Sequence, residues 1–288
     1  MRDITYDTIT DTVVSAYAGT ADPRTREILT ALIRHLHDFV REVKLTPAEW
    51  EAAMGVLLRA AKISTDERNE FILLSDLLGV SALVDLLEGK DDEGASITTL
   101  MGPFYVPGQP DKETGADLIK DNPGERVLVQ GQVRSANGGP LPGAILEVWQ
   151  NGPNGLYTVQ DPGQPDDNLR CTLHADGEGR YSFSTVKPVS YTVPEDGAGG
   201  ELVRAAGRHC WRPAHIHLMI SADGHKRHVS QIFDENDPYI DQDAVFGVRA
   251  DLAVPFDREP TAAELERFPG IERPFNVVTM DFVLARAD

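Results

Sequence analysis

Residues 212–221 read RPAHIHLMIS, a run in which polar and apolar side chains alternate from Ala214 to Leu218. Residues two apart on a strand project to one side, so His215 and His217 are expected to aim both imidazoles at one point while Ile216 and Leu218 enter a core. The same period of two recurs at Val127, Val129 and Val133, and again at Ala144, Leu146 and Val148. Further strands are expected over 180–183, 191–193, 229–233 and 275–284. Short strands divided by Gly, Pro, Asn and Asp turns predict a mainly β protein with a β-sandwich core, not repeated βαβ units. No glycine-rich dinucleotide or phosphate loop and no internal repeat is present.

Upstream of these strands the period changes to that of a helix. Leu29, Leu32, Ile33, Leu36, Phe39, Val40 and Val43 recur at helical spacing, and Asp22 followed by Pro23 supplies an N-cap with proline at the first helical position. Thr46, Pro47 and Glu49 write a second start with a capping-box acid, ahead of Trp50, Met54, Leu57 and Leu58. Ser64 with Glu67 repeats the pattern ahead of a third apolar face at Phe71, Leu74, Leu77 and Leu78. After Gly89 an acidic, glycine-bearing linker and the segment GPFYVPG exclude a continuing helix. The expected division is an N-terminal helical domain over 1–95 and a β-sandwich catalytic domain over 96–288.

Composition narrows the partners. The 288 residues carry 46 acidic against 27 basic side chains, a formal charge of -19, which repels nucleic acid and anionic membrane surfaces. No apolar run approaches the roughly 18 residues of a membrane span. The first residues, MRDITYDTIT, lack the order of a secretion signal, so a cytoplasmic setting is expected, with Cys171 and Cys210 as free thiols.

A paired His-x-His suits a metal, and it equally suits the solvated face of an amphipathic strand. No carboxylate sits in a compact motif with the pair, and neither an HExxH helix nor a short-spaced third zinc ligand is found. Tyrosines offer another donor. A phenol becomes a metal ligand when a strongly acidic ion displaces its proton, which a hard ferric ion can do. Tyr157, after the turn-rich NGPNGL, and Tyr191, between Pro188 and Pro194, stand near bends that can turn a ring toward the histidines.

Four segments carry a resemblance: GPLPGAILEVWQ (139–150), NGLY (154–157), DGEGRYSFSTVKPVSY (176–191) and GRHCWRPAHIHLMIS (207–221). In this order they resemble the intradiol ring-cleavage dioxygenases, and the likeness covers nearly the whole chain. The resemblance implies a non-haem ferric centre, one Fe(III) per subunit, with Tyr157, Tyr191, His215 and His217 matching the four protein ligands and a solvent hydroxide completing the site. Arg212 matches the arginine beside the substrate and Gln231 a glutamine near the metal. It further implies cleavage of an aromatic diol or triol by O2, without nicotinamide or flavin.

Within the family, the pocket stretch Leu100, Met101, Gly102, Pro103 and Phe104, the segment SYTVPEDG with Val193 and Pro194, and DPYIDQDAVFGVRADL look most like the hydroxyquinol 1,2-dioxygenase branch. Asp76, one turn from Leu73, matches an acidic pocket position of that branch, where a carboxylate can accept a hydrogen bond from a third ring hydroxyl. Met101 departs from the bulkier aromatic common at its position, which keeps catechol, methylcatechols and chlorocatechols in view. The resemblance implies a homodimer joined through the N-terminal helices, with phospholipid at that interface. The alternative of another class is a metal-free, transthyretin-like binding module, which would be colourless.

Overall fold

The structure is a computed structural model that describes residues 4–65, 68–90 and 92–287. Among the described residues five helices come first: α1 (Ile9–Ala16), α2 (Pro23–Val43), α3 (Pro47–Ile63), α4 (Glu70–Leu77) and α5 (Val80–Glu88). The chain then runs through β1 (Asp111–Glu113), β2 (Ala116–Asp117), β3 (Arg126–Ser135), β4 (Ile145–Gln150), β5 (Arg170–His174), β6 (Arg180–Val186) and β7 (Tyr191–Thr192). It continues with α6 (Ala198–Ala205), β8 (Trp211–Arg212), β9 (His215–Ser221), β10 (His228–Asp234), β11 (Ala253–Val254), α7 (Ala262–Arg267), β12 (Phe275–Thr279) and β13 (Phe282–Leu284). Among the described residues no helix is long and apolar enough to cross a membrane. The chain forms two compact units, residues 1–59 and 60–288, so α4 and α5 belong to the unit that carries the sheets.

Helix starts follow local chemistry. The Asp22 carboxylate accepts from the Thr25 N–H at 2.6 Å and Pro23 occupies the first turn of α2. At α3 the Thr46 N–H donates to Glu49 Oε2 at 2.8 Å while the Glu49 N–H donates back to Thr46 Oγ1, a reciprocal box. The expected cap at Ser64 is corrected. Asn69 starts α4, its Oδ1 accepting from the N–H groups of Phe71 and Ile72, whereas Ser64 Oγ donates to the Ala60 carbonyl in the last turn of α3. Glu67, the acid expected to complete that cap, lies outside the described residues. In the first unit α1, absent from the sequence reading, ties to α2 through Thr10, which pairs with His37 Nδ1 at 3.0 Å and accepts from Arg41 at 2.7 Å.

In the second unit, among the described residues, one sheet has the order β1-β5-β4-β9-β10-β11. The other has the order β12-β3-β6-β2, with β13 also beside β3, and β7 with β8 forms a separate ribbon. Val127, Val129 and Phe183 from one sheet meet Leu146, Val148, Ile216 and Leu218 from the other in one buried cluster. The β-sandwich expected from the alternation is therefore present, and the opposite face of β9 is left to carry polar groups. Cys171 and Cys210 are both buried and unpaired.

Candidate metal centre

Two histidines, two tyrosines and an arginine meet on the outer face of the larger sheet. His215 and His217 project from β9 to the same side, with their Nε2 atoms 3.1 Å apart. The turn NGPNGL is closed by the Gly152 N–H on the Leu156 carbonyl at 2.8 Å and by the Leu156 N–H on Asn154 Oδ1 at 3.1 Å. It delivers the Tyr157 hydroxyl to 3.4 Å from His215 Nε2 and 3.2 Å from His217 Nε2. Tyr191 on β7 pairs in register with Arg212 on β8, and the Tyr191 hydroxyl accepts from Arg212 Nη1 at 3.3 Å. The rings of Tyr157 and Tyr191 stand edge to face with centroids 5.5 Å apart.

Burial sets the protonation of this group. Desolvation, reinforced by Arg212, drives His215 well below the ordinary histidine pKa; desolvation, then His215 and Arg212, does the same to His217. Both rings are therefore neutral. His215 Nδ1 lies 2.7 Å from the Pro213 carbonyl, which assigns the proton to Nδ1 and leaves the Nε2 lone pair facing inward. His217 Nδ1 has no partner among the described residues, so one nitrogen of this ring stays unsatisfied in either tautomer. Desolvation, and then Tyr191, raises the Tyr157 phenol well above its ordinary value, although Arg212 and Arg170 pull the other way.

Two neutral imidazoles and two phenols with converging nitrogen and oxygen atoms fit a hard, strongly acidic cation that can replace the phenolic protons. Among the described residues no group of three or more His, Cys, Asp and Glu side chains is placed to hold a metal, so the phenols are indispensable to such a site.

Bonds behind these side chains fix their positions. Asp243 accepts from Arg212 Nε at 3.0 Å and Nη2 at 3.2 Å, and from the Gly247 N–H at 2.8 Å. Gln231 accepts from Arg212 Nη2 at 3.0 Å and donates to the Leu100 carbonyl. Asp237 Oδ2 accepts both the Ser190 hydroxyl at 2.6 Å and the Ala214 N–H at 2.9 Å, tying the neighbour of Tyr191 to the neighbour of His215. The glycine at 102 has φ +71°, and a Cβ there would stand 3.1 Å from His217 Cε1.

A cavity of about 260 Å³ opens beside the site. Leu73, Asp76, Leu100, Gly102, Pro103, Phe104, Tyr191, Val193, Pro194 and Arg212 all line it. Met101, expected among them, does not; it faces a separate cavity with Asp92, Lys226 and His228. Its chain neighbours Leu100 and Gly102 line the first cavity, and Met101 lines only the second. Arg68, Glu70, Val159, Gln160 and Val245 line the pocket without having been singled out in the sequence. Asp76 is carried on α4, the fourth helix because α1 precedes the others. Desolvation raises its pKa, opposed by the Ser81 hydroxyl and by Arg212.

Comparison with known proteins follows the same outline. Residues 100–285 match the family model described as Dioxygenase, and residues 22–96 match Catechol dioxygenase N terminus. The chain is 42% identical over 277 residues to a hydroxyquinol 1,2-dioxygenase of Rhizobium sp. (strain MTP-10005), covering 96% of this chain and 94% of that protein. It is 43% identical to a 6-chlorohydroxyquinol 1,2-dioxygenase of Cupriavidus pinatubonensis, covering 88% and 91%. The structure of hydroxyquinol 1,2-dioxygenase from Pseudomonas putida DLL-E4 superposes with a TM-score of 0.91 at 40% identity, covering 98% of this chain and 99% of that one.

Proposed function

This chain belongs to the intradiol ring-cleavage dioxygenases, and from that premise we propose that it cleaves hydroxyquinol (benzene-1,2,4-triol) between its adjacent hydroxylated carbons. Both atoms of O2 enter the product, 3-hydroxy-cis,cis-muconate, which tautomerises to maleylacetate. The observation that carries this reading is the convergence of Tyr157 Oη with His215 Nε2 and His217 Nε2 within 3.4 Å, beside a cavity whose wall bears Asp76. Relatives named for hydroxyquinols support the choice of substrate.

Tyr157, Tyr191, His215 and His217 would hold one ferric ion per subunit. When bound, that ion supplies a Lewis acid that displaces the phenolic and diol protons and accepts electron density from the ring. Leu73, Phe104, Val193 and Pro194 present an apolar slot that takes the ring and excludes water. Asp76 accepts a hydrogen bond from the third hydroxyl, and the Tyr191 phenolic oxygen is the proton acceptor for a substrate hydroxyl. Arg212 holds a fixed positive charge at Tyr191 Oη, where it stabilises negative charge developing on the ring. The substrate supplies all the electrons, so no nicotinamide or flavin is required.

Oxygen uptake recorded together with product spectra, on hydroxyquinol, catechol and chlorocatechols, tests the assignment. Hydroxyquinol is expected to be turned over with the highest kcat/KM; a higher value for catechol would assign the chain to catechol cleavage. Asp76→Ala is expected to lower kcat/KM for hydroxyquinol by about tenfold or more and for catechol much less, because only the triol loses a hydrogen-bond partner. Equal losses would remove the proposed role of Asp76.

The same reading assigns dimerisation to the helical segment 1–95 and catalysis to 96–288, with Leu73 and Asp76 reaching the catalytic pocket from the former. Ile28, Leu32, Leu36, Phe39 and Val43 recur along α2 and each is about half exposed, from 49% to 53%, which supports a second subunit with phospholipid covering them. Light scattering should give twice the 31.5 kDa chain mass, and phosphorus analysis of an extract should detect the lipid; a monomer, or a lipid-free dimer, would overturn the corresponding part. A cytoplasmic setting belongs to the same proposal and is supported by the two unpaired cysteines.

A further inference from the structure

One cross-strand row runs through Arg170 on β5, Trp149 on β4, His217 on β9 and Gln231 on β10, each the register partner of the next. Directly opposed residues of antiparallel strands share a face, so all four belong to the face that carries the metal centre. The Trp149 ring stacks on His217 with centroids 4.8 Å apart. Gln231 leads at one end of the row to Arg212, and Arg170 occupies the other end. The centre therefore lies between two buried arginines.

Their surroundings differ. Arg212 is bonded to Asp243, Gln231 and Tyr191. Arg170 is 2% exposed, yet its Nε and Nη1 have no hydrogen-bond partner among the described residues. Its Nη2 donates to the Phe104 carbonyl at 3.4 Å, a long bond. No ion pair involving Arg170 is found among the described residues; the Asp166 carboxylate acts on it without direct contact and after Tyr157 in size, and a buried cation with no anion in contact is costly. Phe104 also stacks its ring on Tyr157 at 4.5 Å, which puts the Tyr157 phenol in the same buried block. The Coulomb interaction between Arg170 and Tyr157 is attractive when the phenol is ionised.

We infer that Arg170 is the counter-charge to the anionic oxygen ligands of the metal centre, Tyr157 foremost, and that its charge finds its partner in the metal-loaded protein. This rests on the metal-centre reading above. Arg170 is a positioning residue of an electrostatic kind, outside the lining of the cavity. It lowers the energy of the ligand set and is itself a destabilising element of the metal-free fold.

The test compares Arg170→Met, which keeps the length and removes the charge, with Arg170→Lys, which keeps the charge. Metal-free Arg170→Met should melt at or above the wild-type temperature, because an unpaired buried cation has gone. In chelator competition its ferric ion uptake should weaken by roughly 10- to 100-fold, the usual effect of altering a group behind a metal ligand. Its tyrosinate-to-iron charge-transfer band should move to longer wavelength, because the phenolate electrons are no longer held by the cation. Arg170→Lys should stay near wild type in uptake and band position. If Arg170→Met matches wild type in both, or if its metal-free form melts well below wild type or does not fold, the residue is structural and the inference is overturned. If the wild-type protein takes up no iron and shows no band, the metal-centre reading itself fails instead.

Discussion

The two faces of β9 are almost equally dry, yet Ile216, Leu218 and Ile220 make one and His215 and His217 the other. The first face is held by contact with the opposite sheet, where any apolar side chain of suitable volume contributes. The second is held by named bonds: Pro213 to His215, Asp243 and Gln231 to Arg212, Asp237 to the Ser190 hydroxyl and the Ala214 N–H. Burial therefore fails to distinguish the core from the site, and chemistry separates them. Apolar burial accounts for the fold, while a buried cluster of imidazoles, phenols and guanidinium groups costs stability and calls for a function.

The contrast is sharpest where a single atom on the polar face is removed. Tyr157→Phe keeps the ring and deletes one oxygen, so the protein should fold normally and lose the visible charge-transfer band, its iron, and at least about three orders of magnitude in ring-cleavage rate. Colour, iron content and oxygen uptake measured on one preparation check this, and a coloured, active variant would remove Tyr157 from the ligand set. Arg212→Met should damage both properties. It leaves Asp243 buried without its cation and should cost about 3–5 kcal/mol in urea unfolding, besides abolishing turnover. That variant and Arg170→Met are then opposite in sign for the metal-free fold, although both remove a buried arginine.

On the apolar face, Leu218→Ala should cost about 2–5 kcal/mol of stability and leave the colour of the folded fraction unchanged. Loss of the band at full stability would mean that the faces are not separable. The smallest effect lies away from both. Arg258, followed by the Thr261 backbone and hydroxyl, holds the Glu264 carboxyl down at about 2. A depressed carboxylate stabilises the fold above its unfolded pKa near 4.5 and loses that contribution as pH falls through about 2. Glu264→Gln should therefore cost about 1 kcal/mol at neutral pH, and its stability curve should converge on wild type below roughly pH 2. A constant gap down to that pH would show that the pair does not titrate as described.

Legibility followed the range of the interaction. The caps of α2 and α3 are written within four residues, and both occur where read. The cap of α4 falls at Asn69 instead of Ser64: the Ser64 hydroxyl donates to the Ala60 carbonyl and accepts the Glu70 N–H, but it stands six residues ahead of the helix, and Asn69 holds the cap position. Helix α1 went unread because its polar segment draws partners from α2. Strand β5, which carries Arg170, is not among the expected strands although Leu169, Cys171 and Leu173 alternate with polar residues; the alternation is short and follows the turn-rich PGQPDDN. For the site, the His-x-His alternation and the NGPNGL turn gave directions for three side chains, and the family resemblance supplied the rest.

What the sequence determined by itself was the local grammar: which segments alternate, which coil, where the chain must turn, and which residue types are able to bind a metal. These depend on backbone period and short-range hydrogen bonds, which neighbours in the chain decide. Tertiary structure alone decided that Tyr157 meets a histidine 60 residues away, that Met101 turns from the cavity its neighbours line, and that, among the described residues, one buried arginine has a carboxylate in contact while the other has none. The reason is that partners and dielectric surroundings are properties of packing, and packing brings together residues whose positions in the chain carry no record of one another.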